Sequence, residues 1–488
     1  MMIYNKRARP EESALVGGAA HPSLDRLDEA ISRGPDSADL RHARAARLAE
    51  MGRDDEARAD FLAAIALDPT HFGALNDLGT LLYRTDFRTA ARLAYAEAVR
   101  HHPDNPVGRI NLGNALLAEG LTDQARAEFA AALALAPDHP DAHQGMANLL
   151  QQQGDWEGAE RSRLLSCQGR TITRLPFRGT GTPCRVLLLA SAAGGNTPTR
   201  FLLDERRFET FVLAVEAFSA QTALPEHDVV FNAVGDADLG ASALAAAARV
   251  LARTGAPTIN TPDRIRATGR AANAALLGGR EGVIAPRIVS VRREDIPAAA
   301  TELGYPLLLR SPGYHTGQYF AKVDAATELS AVMAALPGAE LLAIQYLDAR
   351  DDHGLARKYR AMMVGGALYP VHLALSRDWK VHYFTADMAD RPDHRAEEAA
   401  FLADMPAMLG PRAMAALEQI ERALGLDYGG VDFALAGDGS VLLFEANAAM
   451  VVAPPGPEPM WDYRRAPVER ILDAVQAMVL ERAGMSSP

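Results

Sequence analysis

Apolar and polar positions change rhythm once along this chain, near residue 170. Before that point, apolar and small residues return at helical spacing, and whole columns of them repeat every 34 residues. Ala57, Ala91, Ala125 and Ala159 form one column, and Ala45, Gly79, Gly113 and Ala147 a second. Leu48, Leu82, Leu116 and Leu150 form a third, Phe61, Tyr95 and Phe129 a fourth, and Pro35, Pro69, Pro103 and Pro137 a fifth. Small residues suit the place where two antiparallel helices cross closely, and the aromatic wedges between neighbouring units. The proline stops one helix and opens the next unit. The pattern predicts a half unit at residues 24–34, full units from Ala38, Phe72 and Pro106, and a fourth from Pro140 to about Leu165. After residue 170 short apolar runs alternate with helical stretches. Strands are expected at 185–190, 208–216, 228–232 and 257–259, with an alanine-rich helix at 241–253, which describes a parallel sheet with helical crossovers.

A 34-residue period with these columns resembles the tetratricopeptide repeat. The resemblance implies a stack of helix pairs whose concave surface holds a protein or peptide. A solenoid that only packs on its own chain or pairs with a copy is the alternative. The array carries no catalytic constellation.

Two strand ends in the following region carry polar turns. Ala193-Gly194-Gly195-Asn196 lacks the spaced glycines of a dinucleotide fingerprint and reads as a tight loop, with a substrate contact as the sharper alternative. Residues 231–236, ending in Gly235-Asp236, sit at a similar place. The strongest chemistry lies near the C-terminus. Asp438-Gly439 between apolar runs predicts a two-residue hairpin turn with Gly437 opposite Ser440. Counting outward puts Asp432 opposite Glu445, with Asn447 on the same face. Two facing carboxylates repel unless a cation or proton intervenes, and two carboxylates plus an amide form a hard oxygen donor set that suits Mg²⁺.

An aspartate on one strand and Glu-x-Asn on its partner resemble the metal site of the ATP-grasp enzymes, which include D-alanine–D-alanine ligase, glutathione synthetase and the ribosomal-protein glutamate ligases. The resemblance spans about residues 184–480. It implies that Asp432, Glu445 and Asn447 hold Mg²⁺ (Mn²⁺ in its place) against the phosphates of ATP. Further residues fall in the family's order. Residues 306–318 read as a strand ending in Arg310 and then a loop with Gly313, His315 and Gly317. There the resemblance implies a basic phosphate contact and a mobile glycine loop, with arginine where most relatives carry lysine. Gln345, Tyr346 and Leu347 match the segment whose backbone meets adenine, and Asp348 or Asp351 the acid that holds ribose. Lys358 and Arg360 share one strand face, and Arg360 is the first choice for the cation against the transferred phosphate. His372, Lys380 and His382 are open candidates for an acceptor pocket, and Arg270 for a further nucleotide contact.

The expected organisation is therefore multidomain: an all-α tetratricopeptide solenoid at 24–166, a linker at 167–183, an α/β pre-ATP-grasp domain at 184–262 and an α+β ATP-grasp domain at 263–484. The implied activity is an amide-forming carboxylate–amine ligase acting through an acylphosphate on a small-molecule or peptide carboxylate and an amine. The alternatives are a nucleotide-binding scaffold without catalysis and a phosphotransferase on the same fold. Composition narrows the rest. A net charge of −12 lacks the basic footprint of a nucleic-acid binder. Two cysteines, Cys167 and Cys184, without a CxxC, argue against a disulfide framework or thiolate zinc site and for a reducing, cytoplasmic setting. Residues 1–9 lack the apolar core of a secretory signal, and no apolar run has the length of a membrane span.

Overall fold

A computed structural model describes residues 23–167, 170–312, 319–381, 386–456 and 458–485, so the first nine residues lie outside the described part. The chain forms two compact units, Met1–Arg170 and Thr171–Pro488.

The described residues of the first unit form α1 (Leu24–Arg33), α2 (Ala38–Glu50), α3 (Asp54–Leu67), α4 (Phe72–Arg84), α5 (Arg88–His101), α6 (Pro106–Ala118), α7 (Thr122–Leu135), α8 (Pro140–Gln152) and α9 (Trp156–Ser166). The first helices of successive pairs begin at residues 38, 72, 106 and 140, and their partners at 54, 88, 122 and 156. The 34-residue period is thus the period of the helix pairs. Its columns have direct steric causes. A Cβ on Gly79 would stand 2.6 Å from the Tyr95 ring. One on Gly113 would stand 2.7 Å from Phe129, and one on Gly145 2.3 Å from the same ring. Each aromatic fills the hollow of an absent side chain, and Phe129 does so in its own pair and the next. Pro106 and Pro140 open α6 and α8, where a missing N–H costs nothing.

The described residues of the second unit form three sheets. The first is formed by β1 (Ile172–Arg174), β2 (Cys184–Ala190), β3 (Phe208–Ala214), β4 (Val229–Asn232) and β5 (Thr258–Ile259), in the order β1-β3-β2-β4-β5. Strands β3, β2, β4 and β5 run parallel, as the sequence pattern predicts. The segment expected as a linker supplies β1, which pairs antiparallel with β3, so residues 172–174 belong to the sheet. Helix α10 (Ala241–Leu251) packs Leu244, Ala247 and Val250 into the core beside Leu187 and Leu189.

After α11 (Pro262–Arg266), α12 (Arg270–Leu277) and β6 (Val283–Ile284) comes a four-stranded antiparallel sheet. It is built from β7 (Ile288–Arg292), β8 (Leu307–Arg310), β9 (Phe320–Val323) and β10 (Glu340–Gln345), ordered β7-β10-β8-β9. Leu307, Leu309, Val323, Leu341 and Ala343 form its core face against α13 (Ile296–Leu303) and α14 (Leu329–Ala335). The third sheet joins β11 (Ala356–Val364), β12 (Ala367–Ser376), β13 (Tyr428–Leu435) and β14 (Val441–Asn447) to β6, ordered β12-β11-β13-β14-β6. One face packs Tyr359, Phe433 and Leu443 against α15 (Pro392–Ala403) and α16 (Met405–Leu424). On the other, Met362 and Val364 pack with Val468 and Val475 of α17 (Arg465–Arg482). The fold class is the one the sequence pattern describes: a helical solenoid, a largely parallel α/β sheet, then an α+β pair of sheets, antiparallel except where β6 runs parallel to β14.

Buried asparagine ties the first sheet to the third. Asn260, with φ 57°, receives the N–H groups of Asp427 and Tyr428 on its side-chain oxygen and donates to Tyr428 O at 2.7 Å. Asparagine tolerates this left-handed backbone better than most residues. Among the described residues no helix is long and apolar enough to cross a membrane.

Candidate functional site

On the third sheet one row of polar side chains crosses four strands. His372 on β12 pairs with Arg360 on β11, Arg360 with Asp432 on β13, and Asp432 with Glu445 on β14. Cross-strand partners point to one face, so the row is a single polar seam. Both flanks carry bulges: the register shifts between Arg360 and Ala361 and again between Asp432 and Phe433. Bulges bend a strand and re-aim its side chains.

The sequence expectation of Asp432 opposite Glu445 holds, but by another route. The turn is not the two-residue type. Ala436 N donates to Ser440 O at 2.8 Å, leaving a three-residue loop with Gly439 at φ 79°. Asp438 accepts from Ser440 N and Oγ, both at 3.0 Å. This loop shifts the register by one, pairing Leu435 with Val441 and Phe433 with Leu443. Phe444 is then the extra residue, and the bulge restores the facing acids.

Asp432 is 1% exposed and held by two cations. Arg360 donates from Nε to Oδ1 at 2.6 Å and from Nη2 to Oδ2 at 2.9 Å. Lys358 Nζ stands 2.7 Å from Oδ2. Burial by itself would raise the Asp432 carboxyl, and Arg360 and Lys358 outweigh it and hold it well below the usual carboxylate range. Glu445 accepts from Arg270 Nη2 at 2.9 Å. Its carboxyl is also lowered, because Arg270 overcomes burial and the repulsion of Asp432. Arg270 reaches on through Nη1 to Asp238 at 3.0 Å, so one guanidinium bridges β14 and the loop after β4. His372 is pushed well below the ordinary imidazole range, first by burial and then by the charge of Arg360. Asn447 lies opposite Gly430 and accepts from Ala449 N at 2.9 Å.

The four-stranded sheet supplies a second group of candidates. Arg310 pairs with Phe320, and its guanidinium stands 5.4 Å from that ring's centroid. Burial and then the charge of Arg270 push Arg310 down to about 10, with Glu445 and Asp236 opposing. It keeps its charge at neutral pH. Gly313, His315, Gly317 and His382 lie outside the described residues. In the segment expected against adenine, Gln345 N already donates to Arg287 O at 2.8 Å, and Gln345 Oε1 accepts from Arg287 N at 3.1 Å. Asp348 accepts from Arg350 at 2.6 and 2.8 Å, and Asp351 caps the turn at His353 and Leu355 while pairing with Arg357 at 2.6 Å. The Ala193–Asn196 turn is bound into the fold: Asn196 exchanges hydrogen bonds with the Ser191 backbone, both at 2.7 Å.

Residues 116–161 match the family model of the tetratricopeptide repeat. The helix pairs before that segment keep the same 34-residue spacing. No curated relative matches the chain. Solved structures similar to parts of it include MamA from Desulfovibrio magneticus RS-1, at 19% identity over 30% of this chain and 82% of that one, TM-score 0.28. Pseudomonas aeruginosa pilF is similar at 26% identity over 30% of this chain and 68% of that one, TM-score 0.28. A RimK domain protein ATP-grasp from Sphaerobacter thermophilus DSM 20745 is similar at 19% identity over 61% of this chain and 99% of that one, TM-score 0.39. In the tetratricopeptide array, amides link neighbouring pairs: Asn111 Nδ2 donates to Asn76 Oδ1 at 2.8 Å.

Sequence reasoning missed Asp238 and Lys322. Asp238 lies on a loop two residues past a noted turn, and no spacing rule joins it to Arg270. Lys322 sits inside a short apolar strand. Its Nζ stands 4.7 Å from the Tyr346 ring centroid, a contact with no counterpart in local sequence.

Proposed function

We propose that the sheet unit is an ATP- and Mg²⁺-dependent ligase joining a carboxylate to an amine, and that the tetratricopeptide array presents a protein or peptide partner. The observation that carries this reading is the seam Arg360–Asp432–Glu445 on three adjacent strands, with Lys358 and Arg270 paired to its acids. The donor set fits a metal shared with phosphates. Among the described residues no group of three or more His, Cys, Asp or Glu could hold a metal alone. Asp432, Glu445 and Asn447 would supply hard oxygens, and phosphate oxygens and water would complete the shell, as Mg²⁺ commonly requires. When bound, Mg²⁺ supplies Lewis-acid neutralisation of phosphate charge.

In this reading the substrate carboxylate attacks the γ-phosphorus of ATP, ADP leaves, and an acylphosphate forms. The amine then attacks the acyl carbon, phosphate leaves, and the surplus proton passes to solvent. Arg360, Lys358 and Arg310 are the cations that would take up charge on the transferred phosphoryl group. Because Gln345 N is committed within the sheet, the adenine contacts fall to Tyr346 and Leu347, with Asp348 beside the ribose. The glycines at 313 and 317 would let backbone N–H groups close over the phosphates and exclude water from the acylphosphate. The two buried cysteines, neither in a disulfide, suit a reducing, cytoplasmic setting.

The test is calorimetric titration with a non-hydrolysable ATP analogue, with and without Mg²⁺, on the wild type and Glu445→Gln. Metal-dependent binding that weakens in the variant supports the reading. A wild-type chain that binds no nucleotide under either condition overturns it.

A further inference from the structure

Lysine is nearly absent from this chain. Of its 50 lysines and arginines only four are lysine: Lys6, Lys322, Lys358 and Lys380. Arginine supplies the cations elsewhere, as in the Arg92–Glu119 and Arg109–Glu128 pairs of the repeats. Three of the four lysines fall within residues 322–380: Lys322 on β9, Lys358 on β11 and Lys380 in the segment after β12. Lys358 holds Asp432. Lys380 follows Trp379, whose ring lies 5.5 Å from Phe320, the cross-strand partner of Arg310. A chain that meets ordinary needs for positive charge with arginine keeps an ammonium where a compact, rotatable point charge does what a planar fork does not.

Lys322 is the most informative of the three. On β9 it pairs with Leu308, and Phe320 with Arg310, so Lys322 and Arg310 share one sheet face. That face is opposite the core packed on α13 and α14. Leu342 pairs with Arg310 and Ile344 with Leu308, which gives the same face an apolar floor. The Lys322 side chain is 13% exposed, while its partner Asp324, 2.5 Å away, is 60% exposed. A surface carboxylate binds such a cation weakly and can yield it. The ammonium also stands over Tyr346, in the segment proposed for adenine. An apolar floor with an aromatic ring at one end and two cations on the same face is complementary to a flat base joined to a polyanion.

We propose that Lys322 is a phosphate-binding residue of the nucleotide cleft, working beside Arg310, and that its ammonium cannot be replaced by a guanidinium. The inference rests on the nucleotide-dependent reading above. An arginine in the same slot would have to fit its larger planar head between Tyr346 and Asp324. The chain's own composition offers arginine almost everywhere else.

Two measurements on the full chain test this. The first is calorimetric affinity for the Mg²⁺-bound ATP analogue in the wild type, Lys322→Met, Lys322→Arg and Asp324→Asn, each with its thermal unfolding curve. Both lysine variants should lose about 10- to 100-fold in affinity, the range of a charged hydrogen bond. Asp324→Asn should retain or gain affinity, because it releases the ammonium. The second is labelling with an adenosine polyphosphate bearing a pyridoxal aldehyde, fixed by borohydride and mapped by mass spectrometry. The label should reach Lys322 and be blocked by ATP. Wild-type nucleotide binding with full affinity in both lysine variants overturns the proposal and leaves the nucleotide reading intact. An equal loss in Asp324→Asn and Lys322→Met also overturns it, since that marks a structural ion pair. Absence of nucleotide binding in the wild type overturns both.

Discussion

Two buried aspartates in this chain have nearly the same immediate surroundings and different meanings. Asp60, in the repeats, is 4% exposed and accepts from Arg44 at 2.5 and 2.7 Å and from Arg41 at 3.2 Å. Asp432, in the third sheet, is held by Arg360 and Lys358 at similar distances. Two cations on a buried carboxylate therefore do not make a site. What separates them is the next shell. Asp60 projects from a helix, and its partners are structural struts between α2 and α3. Asp432 faces a second carboxylate, Glu445, which carries its own cation, and the seam continues to a buried histidine. Strand pairing brings residues from four separate segments into one line, which a helix pair cannot do.

The largest effects that sharpen this contrast come from neutralising each aspartate. Asp432→Asn removes the carboxylate that Arg360 and Lys358 share and should cost its unit about 3–5 kcal/mol, as broken buried pairs do. Asp60→Asn should cost the repeats less, because Arg44 keeps Asp28 at 2.8 Å and Arg41 keeps Asp36 at 2.7 and 2.8 Å. Only Asp432→Asn should also abolish metal-dependent nucleotide binding. Urea unfolding followed separately for the two units, with calorimetry on each variant, checks this. Loss of nucleotide binding in Asp60→Asn would break the contrast.

A smaller effect tests whether the repeats stand on packing alone. Gly145→Leu drives a side chain into Phe129, where even a Cβ would lie 2.3 Å from the ring. Overpacking of this kind costs about 1–3 kcal/mol. The lower urea midpoint should be confined to the repeats, with nucleotide affinity unchanged.

The smallest effect is a pH dependence peculiar to the seam. His372 has its folded value held well below 6.5, so the folded state stays neutral while the unfolded state takes up a proton as pH falls past about 6.5. Stability is then full above that pH and declines below it, by at most about 1.4 kcal/mol per pH unit for one proton. Asp432 and Glu445, both lowered, add their loss only as pH falls below the ordinary carboxylate range near 4. His372→Gln should flatten the stability curve between pH 5 and 6.5, measured by urea unfolding of the second unit. An unchanged slope would show that another group carries it.

Much of this molecule was legible in its sequence. The repeats were readable because each unit must solve the same packing problem. Gly113 is small because Phe129 is large, and the period records that exchange directly. The strands of the parallel sheet were readable because both faces are buried and their apolar runs are continuous. The facing of Asp432 and Glu445 also emerged from counting, although two compensating features lay beneath it. The loop holds three residues where the sequence suggests two, and Phe444 is bulged. Each alone would turn the acids to opposite faces, since a one-residue slip inverts a strand.

Local sequence determined which residues could be small, which strands could be buried, and that two acids and an amide would share a hairpin. Tertiary structure alone decided which cations meet them. Arg270 and Glu445 are separated by 175 residues, Arg360 and Asp432 by 72, and Arg270 and Asp238 by 32. Periodicity reports the neighbours one turn or one strand away. Charge pairing across sheets depends on how whole elements pack, and burial then makes those few distant contacts strong.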